Sequence, residues 1–123
     1  MYELAIQTSF AAAHRLEHYA GQCESLHGHN WRVEVVVRAA ELNSVGIAVD
    51  FAELKKATRD ILSRLDHTFL NDLPQFNSCN PSSENIARWL YEQIDAYFAG
   101  RAVSVRRVTV WESDTAWASY LPD

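Results

Sequence analysis

Three of the five histidines in the 123-residue chain are spaced as metal ligands would be. His27-Gly28-His29 sets two imidazoles two residues apart. On a β-strand such residues leave the same face, with Cα atoms about 6.5 Å apart. Two rings at that spacing can converge on one cation, and Gly28 between them is read as permitting close backbone approach. Two polar histidines at a strand end give the same pattern without a metal. His14 tips the balance. It ends a segment rich in β-branched and aromatic residues, and antiparallel pairing of that segment with the His27 strand brings the three rings together. Three neutral imidazoles describe an open, catalytic zinc site, whereas four protein ligands describe a closed, structural one.

Cys23, four residues before His27, fits either description. As a fourth ligand it closes the site. As a free thiol near a cation it has a lowered pKa and serves as base or nucleophile. Its polar setting, Gln22-Cys23-Glu24-Ser25, argues against a packing role. Cys79, between Ser78 and Asn80, is read as incidental. Asp66-His67 pairs a carboxylate with an imidazole that it can orient for proton transfer. The same pair at a helix end is also an ordinary cap, since the helix dipole favours histidine there. Glu112, within Trp111-Glu112-Ser113, is either a recognition carboxylate for the amidine-like edge of a heterocycle or a solvated strand-end acid. His18 has no evident partner, and the four tryptophans read as core or subunit contacts.

These residues need elements to hold them. Tyr2 to His14 reads as a strand, and Arg15 to Ser25 as a long polar loop of the kind that often carries function. From His27 to Ala39, His27, His29, Trp31, Val33, Val35 and Val37 share one face of a second strand. Asp50 is an N-cap, with Glu53 completing a capping box. Phe51, Leu54, Ile61, Leu62 and Leu65 then follow helical spacing. Asn71 to Pro81 is a loop. Ser82 or Ser83 caps a second helix, whose stripe is Ile86, Trp89, Leu90, Ile94, Tyr97 and Phe98, and Gly100 marks its stop. Ala102 to Glu112 and Thr115 to Leu121 are strands joined by a hairpin at Ser113-Asp114. The order ββααββ gives an α+β domain, an antiparallel four-stranded sheet with two helices on one face. Its open edges favour assembly with other subunits.

Composition bounds the rest. A chain of this length makes one domain, residues 1–123. Hydrophobic residues at 48% and charged residues at 22% exclude a disordered protein. The net charge of −5 offers no basic field for nucleic acid. The apolar runs are too short to span a membrane, and Met1-Tyr2-Glu3 lacks the basic start of a signal peptide. A cytoplasmic protein with two free thiols is the expectation.

Taken in order, the residues resemble the 6-pyruvoyl-tetrahydropterin synthase family. The matching pieces are Phe10-Ala11-Ala12-Ala13-His14-Arg15-Leu16, Cys23-x-x-x-His27-Gly28-His29, Val49-Asp50-Phe51, Leu65-Asp66-His67 with Leu70-Asn71, Pro81-Ser82-Ser83-Glu84-Asn85, and Glu112. Three residues between Cys23 and His27 look like the bacterial 6-carboxytetrahydropterin synthase branch of queuosine biosynthesis. The tetrahydrobiopterin-forming branch typically has a longer spacing. The resemblance implies the T-fold, with subunits joined into a barrel and two trimers stacked as a homohexamer. It implies 7,8-dihydroneopterin triphosphate as substrate and Zn2+ on His14, His27 and His29. It further implies a catalytic thiol at Cys23, a relay through Asp66 and His67 open to supply by a neighbouring subunit, and a pterin anchor at Glu112 helped by Ser83. The runner-up is 6-pyruvoyl-tetrahydropterin synthase, which stops before carbon–carbon cleavage. A non-catalytic, zinc-stabilised oligomeric pterin-binding protein is the alternative of another class.

Overall fold

Alternation of apolar and polar residues becomes two long paired strands in the computed structural model, which describes residues 1–18 and 24–123. Strand β1 (Tyr2–His14) pairs antiparallel with β2 (His27–Ala39) along its whole length, from Tyr2 opposite Ala39 to His14 opposite His27. Ile6, Phe10 and Ala12 of β1 and Trp31, Val33, Val35 and Val37 of β2 turn inward. A two-residue strand, β3 (Thr68–Phe69), lies along the outer edge of β1. Strand β4 (Val103–Ser113) pairs with β2, and β5 (Ala116–Tyr120) pairs with β4.

Helices α1 (Phe51–Leu62) and α2 (Ser83–Tyr97) cover the apolar face, α1 against β1 and α2 against β4 and β5. Leu54, Ile61 and Leu62 of α1 and Ile86, Leu90 and Ile94 of α2 join the strand residues in one core. Among the described residues no helix is long and apolar enough to cross a membrane.

The structure corrects the expected fold in three details. The sheet has five strands in the order β3-β1-β2-β4-β5. The added strand, β3, is parallel to β1 at Ala12 and Ala13. Two residues are too few for any sequence period to show. The capping box at α1 does not form. Asp50 accepts from the Ala52 N–H at 2.8 Å, while Glu53 binds Arg101 at 2.6 and 3.0 Å and the Tyr97 hydroxyl at 2.9 Å. A two-pronged guanidinium is the stronger partner for a carboxylate. Gly28 is not needed for close approach, because a Cβ there would meet only the Ala12 carbonyl, at an ordinary 3.8 Å. At α2 the cap is Ser82, whose Oγ accepts from Asn85 N–H. The loop before it holds two short 3-10 turns, Leu70–Asp72 and Pro74–Phe76.

Candidate metal and substrate site

The antiparallel register puts His14 opposite His27, so the end of the β1–β2 ladder carries three imidazoles on the core-facing side. Ring centroids lie 4.6 Å apart for His14 and His27, 5.3 Å for His14 and His29, and 4.7 Å for His27 and His29. Trp31 is their floor. It is fully buried, stacks on Phe10 at 5.9 Å, and meets the rings of His14 and His29 edge-on at 4.8 and 5.1 Å. Its indole N–H donates to the Ala12 carbonyl at 3.2 Å, which fixes the ring.

Hydrogen bonds settle how two of the histidines present themselves. Nδ1 of His14 lies 2.8 Å from the Pro81 carbonyl, and Nδ1 of His27 lies 2.8 Å from the Ser25 carbonyl. A carbonyl only accepts, so each Nδ1 carries a proton, and each ring in its neutral form shows a bare Nε2. Those two Nε2 atoms are 3.0 Å apart. Two bare lone pairs so close repel, and either a shared proton or a bound metal ion relieves the repulsion. Tetrahedral zinc at its usual distance from two imidazoles separates the nitrogens by about 3.3 Å. Nε2 of His29 is buried and has no hydrogen-bond partner among the described residues. Burial holds the His29 pKa below the ordinary histidine value. Glu112 opposes that shift, and the other two rings add to it. The three Nε2 atoms therefore converge, and that of His29 lacks a partner among the described residues, an arrangement that fits a metal ion such as zinc.

Glu112 joins this cluster. Its carboxylate oxygens lie 3.4 Å from His29 Nε2 and 3.9 Å from His14 Nε2. One donor atom from each of the four residues falls within 4.8 Å of the others. Glu112 is the unpaired residue of a β-bulge, since Trp111 pairs with Trp117 and Ser113 with Ala116. Bulges re-aim side chains in this way. Sequence reasoning misses this proximity to the histidines, because a bulge leaves no mark in the residue pattern.

Asp66 and His67 sit against the outer edge of β1. Asp66 Oδ1 accepts from Ala11 N–H at 2.9 Å, and the His67 N–H donates to the Ala11 carbonyl at 2.5 Å. The Ala11 N–H, helped by His67, holds the Asp66 carboxyl below the usual carboxylate range. His67 adopts a left-handed φ of 58°, uncommon for a residue with a Cβ. Its Nδ1 lies 3.1 Å from Asp66 Oδ1, and its ring is largely exposed. His67 and His29 are among the residues bordering one shallow depression, whose Ala11, Ala13, Gly28 and Asn30 alternate to the sheet face opposite the three imidazoles.

Cys23 lies outside the described residues. Ser83 opens α2 behind the Ser82 cap. Cys79 is exposed, 3.7 Å from the Gln75 carbonyl, and takes no part in the cluster, nor does His18.

Residues 3–123 match the model of the family described as 6-pyruvoyl tetrahydropterin synthase. The chain belongs to that family. Its relatives include a 6-carboxy-5,6,7,8-tetrahydropterin synthase of Synechocystis, 35% identical, covering 98% of this chain and 93% of the relative. A dihydroneopterin monophosphate aldolase of Pyrococcus furiosus is 37% identical, covering 88% of this chain and 87% of the relative. Among solved structures, the 6-pyruvoyl tetrahydropterin synthase of Caenorhabditis elegans superposes with a TM-score of 0.85 at 25% identity, over 99% of this chain and 96% of that one. The ββααββ order, with its small added strand, is thus the T-fold of this synthase family.

Proposed function

We propose that the protein is a zinc-dependent 6-carboxy-5,6,7,8-tetrahydropterin synthase of queuosine (7-deazaguanine) biosynthesis. It takes 7,8-dihydroneopterin triphosphate and water to 6-carboxytetrahydropterin, acetaldehyde and triphosphate. The observation that carries this reading is the convergence of three imidazoles with Glu112, one donor atom from each lying within 4.8 Å of the others.

His14, His27 and His29 hold the zinc, and zinc bound there supplies Lewis acidity that acidifies the C–H protons on the substrate's three-carbon arm. His67 gives its Nδ1 proton to the hydrogen bond with Asp66, so its exposed Nε2 is free to take and return a proton. Cys23, as a thiolate, moves protons on the opposite face of the substrate. Glu112 accepts two parallel hydrogen bonds from the guanidine-like edge of the pterin. Its half-exposed carboxylate, on a bulge at the rim, suits a group that meets an arriving ligand. Ser83 assists at the same edge. The subunits assemble into a cytoplasmic homohexamer. Support comes from β1, whose outer edge among the described residues is engaged at Ala11, Ala12 and Ala13, and from the five-residue edge strand β5.

The aldolase relative favours a second reading, in which the same site cleaves the side chain of a dihydroneopterin monophosphate. Incubation with each phosphate ester, followed by mass identification of the pterin, separates the two. The synthase reading predicts 6-carboxytetrahydropterin from the triphosphate and no turnover of the monophosphate. Release of a hydroxymethyl pterin from the monophosphate supports the aldolase. A pyruvoyl product identifies the branch without carbon–carbon cleavage. An unchanged substrate with zinc fully bound leaves the non-catalytic binding protein.

A further inference from the structure

Beyond His14 the β1 ladder stops, yet the next three residues lose none of their main-chain hydrogen bonds. Arg15 N–H donates to Asn71 Oδ1 at 3.0 Å, and Asn71 Nδ2 donates back to the Arg15 carbonyl at 2.9 Å. Glu17 N–H donates to Asn80 Oδ1 at 2.8 Å, and Asn80 Nδ2 donates to the Glu17 carbonyl at 2.9 Å. A carboxamide has its acceptor and donor side by side, as a strand neighbour does, so each asparagine closes a two-bond ring on one residue. Leu16, facing the other way, donates to Glu24 Oε1 at 3.2 Å and accepts from Glu24 N–H at 2.8 Å. Every polar main-chain group from Arg15 to Glu17 is therefore matched.

Both asparagines come from the segment between β3 and α2, which also touches the metal site. Asn71 lies in the turn Leu70–Asp72. Asn80 precedes Pro81, whose carbonyl holds the His14 ring. The Asn80 carbonyl is itself held by Asn85 Nδ2 at 2.9 Å. Cys23 is bonded directly to Glu24. The Leu16–Glu24 bridge, which rests on the two clamped residues beside Leu16, thus anchors the sequence neighbour of Cys23.

We infer that Asn71 and Asn80 are positioning residues, two carboxamide clamps that fasten the root of the Cys23 loop to the segment buttressing His14. The inference deepens the catalytic reading of Cys23 and rests on it. The test uses zinc-loaded full-length protein carrying Cys79→Ser, so that Cys23 is the sole thiol. Asn71→Ala and Asn80→Ala are expected to keep stoichiometric zinc and to lower kcat roughly ten- to a hundredfold, with KM changed less than about threefold. Iodoacetamide should alkylate Cys23 several-fold more slowly at pH 7, because a thiol held less firmly near bound zinc gains less from the cation that favours its reactive thiolate. Asn80→Asp keeps the acceptor for Glu17 N–H but cannot donate to the Glu17 carbonyl, so it should fall between wild type and Asn80→Ala. That milder variant carries the test if an alanine variant does not fold. Wild-type kcat and alkylation rate in Asn80→Asp and in whichever alanine variants fold overturn the inference, as does a change in KM alone. Normal turnover by Cys23→Ala would instead remove the catalytic reading of the thiol. The clamp is then judged by alkylation alone, with slowed alkylation supporting it and an unchanged rate ending it.

Discussion

Removing Trp31 tests whether the proposed metal site is built on the core or merely lies beside it. Trp31 is fully buried, stacks on Phe10, and supports the rings of His14 and His29. Truncation of a buried large aromatic to alanine costs about 3–5 kcal/mol. Loss of the indole hydrogen bond to the Ala12 carbonyl contributes about 1 kcal/mol of such a loss. Trp31→Ala should therefore fall in the upper part of that range, a large fraction of the roughly 5–15 kcal/mol that holds a domain together. Trp31→Phe, which keeps a ring against Phe10, should cost about half as much or less. Urea denaturation reads these values, with metal chelated and protein concentration fixed, since both ligand binding and assembly shift apparent stability. Zinc affinity, measured separately by chelator competition, should fall about 10–100-fold in Trp31→Ala, because two ligand rings lose the surface that orients them. A destabilisation below about 1 kcal/mol, with zinc affinity unchanged, would refute the reasoning.

His27→Ala should remove the metal and the activity together, and stoichiometric zinc in this variant would end the three-histidine assignment. Cys23→Ala should keep zinc and fold but lose roughly 10²–10⁴-fold in turnover, while Cys79→Ser stays near wild type. Loss of zinc in Cys23→Ala would mark a closed structural site, and an activity loss in Cys79→Ser would show that the other thiol matters. Glu112→Gln replaces one acceptor with a donor, so equilibrium binding of a non-reactive pterin should weaken roughly ten- to a hundredfold, with zinc still stoichiometric. Equal pterin affinity would remove Glu112 as the anchor, and loss of zinc would make it a metal ligand. The Asp66 carboxyl is held below its ordinary pKa by the Ala11 N–H, so its contribution to stability is complete above about pH 4 and fades as pH falls through the lower folded-state value. The stability advantage of wild type over Asp66→Asn should be constant from pH 5 to 7 and shrink only below about pH 4. An advantage that shrinks between pH 5 and 7 would contradict that cause.

The two long strands were legible, the first from its β-branched and aromatic residues and the second from the face shared by His27, His29, Trp31, Val33, Val35 and Val37, and the structure keeps the expected bounds, Tyr2–His14 and His27–Ala39. The histidine cluster followed from them, since antiparallel pairing leaves His14 nowhere to go but beside His27. Features made by tertiary contact stayed hidden. Strand β3 exists because Thr68 and Phe69 find the edge of β1, not because two residues have a period. Glu112 reaches the histidines through a bulge, and Glu53 leaves its helix cap for Arg101, forty-eight residues away. The asparagine clamps likewise join residues more than fifty positions apart, and no local pattern marks either end.

The most direct measurement of the central claim is the stoichiometry of acetaldehyde to triphosphate released from 7,8-dihydroneopterin triphosphate by the zinc-loaded protein, with His27→Ala as control. The proposed zinc-dependent synthase activity predicts one acetaldehyde for each triphosphate in the wild type and neither from His27→Ala. Triphosphate without acetaldehyde, or equal release by the metal-free control, would contradict the account.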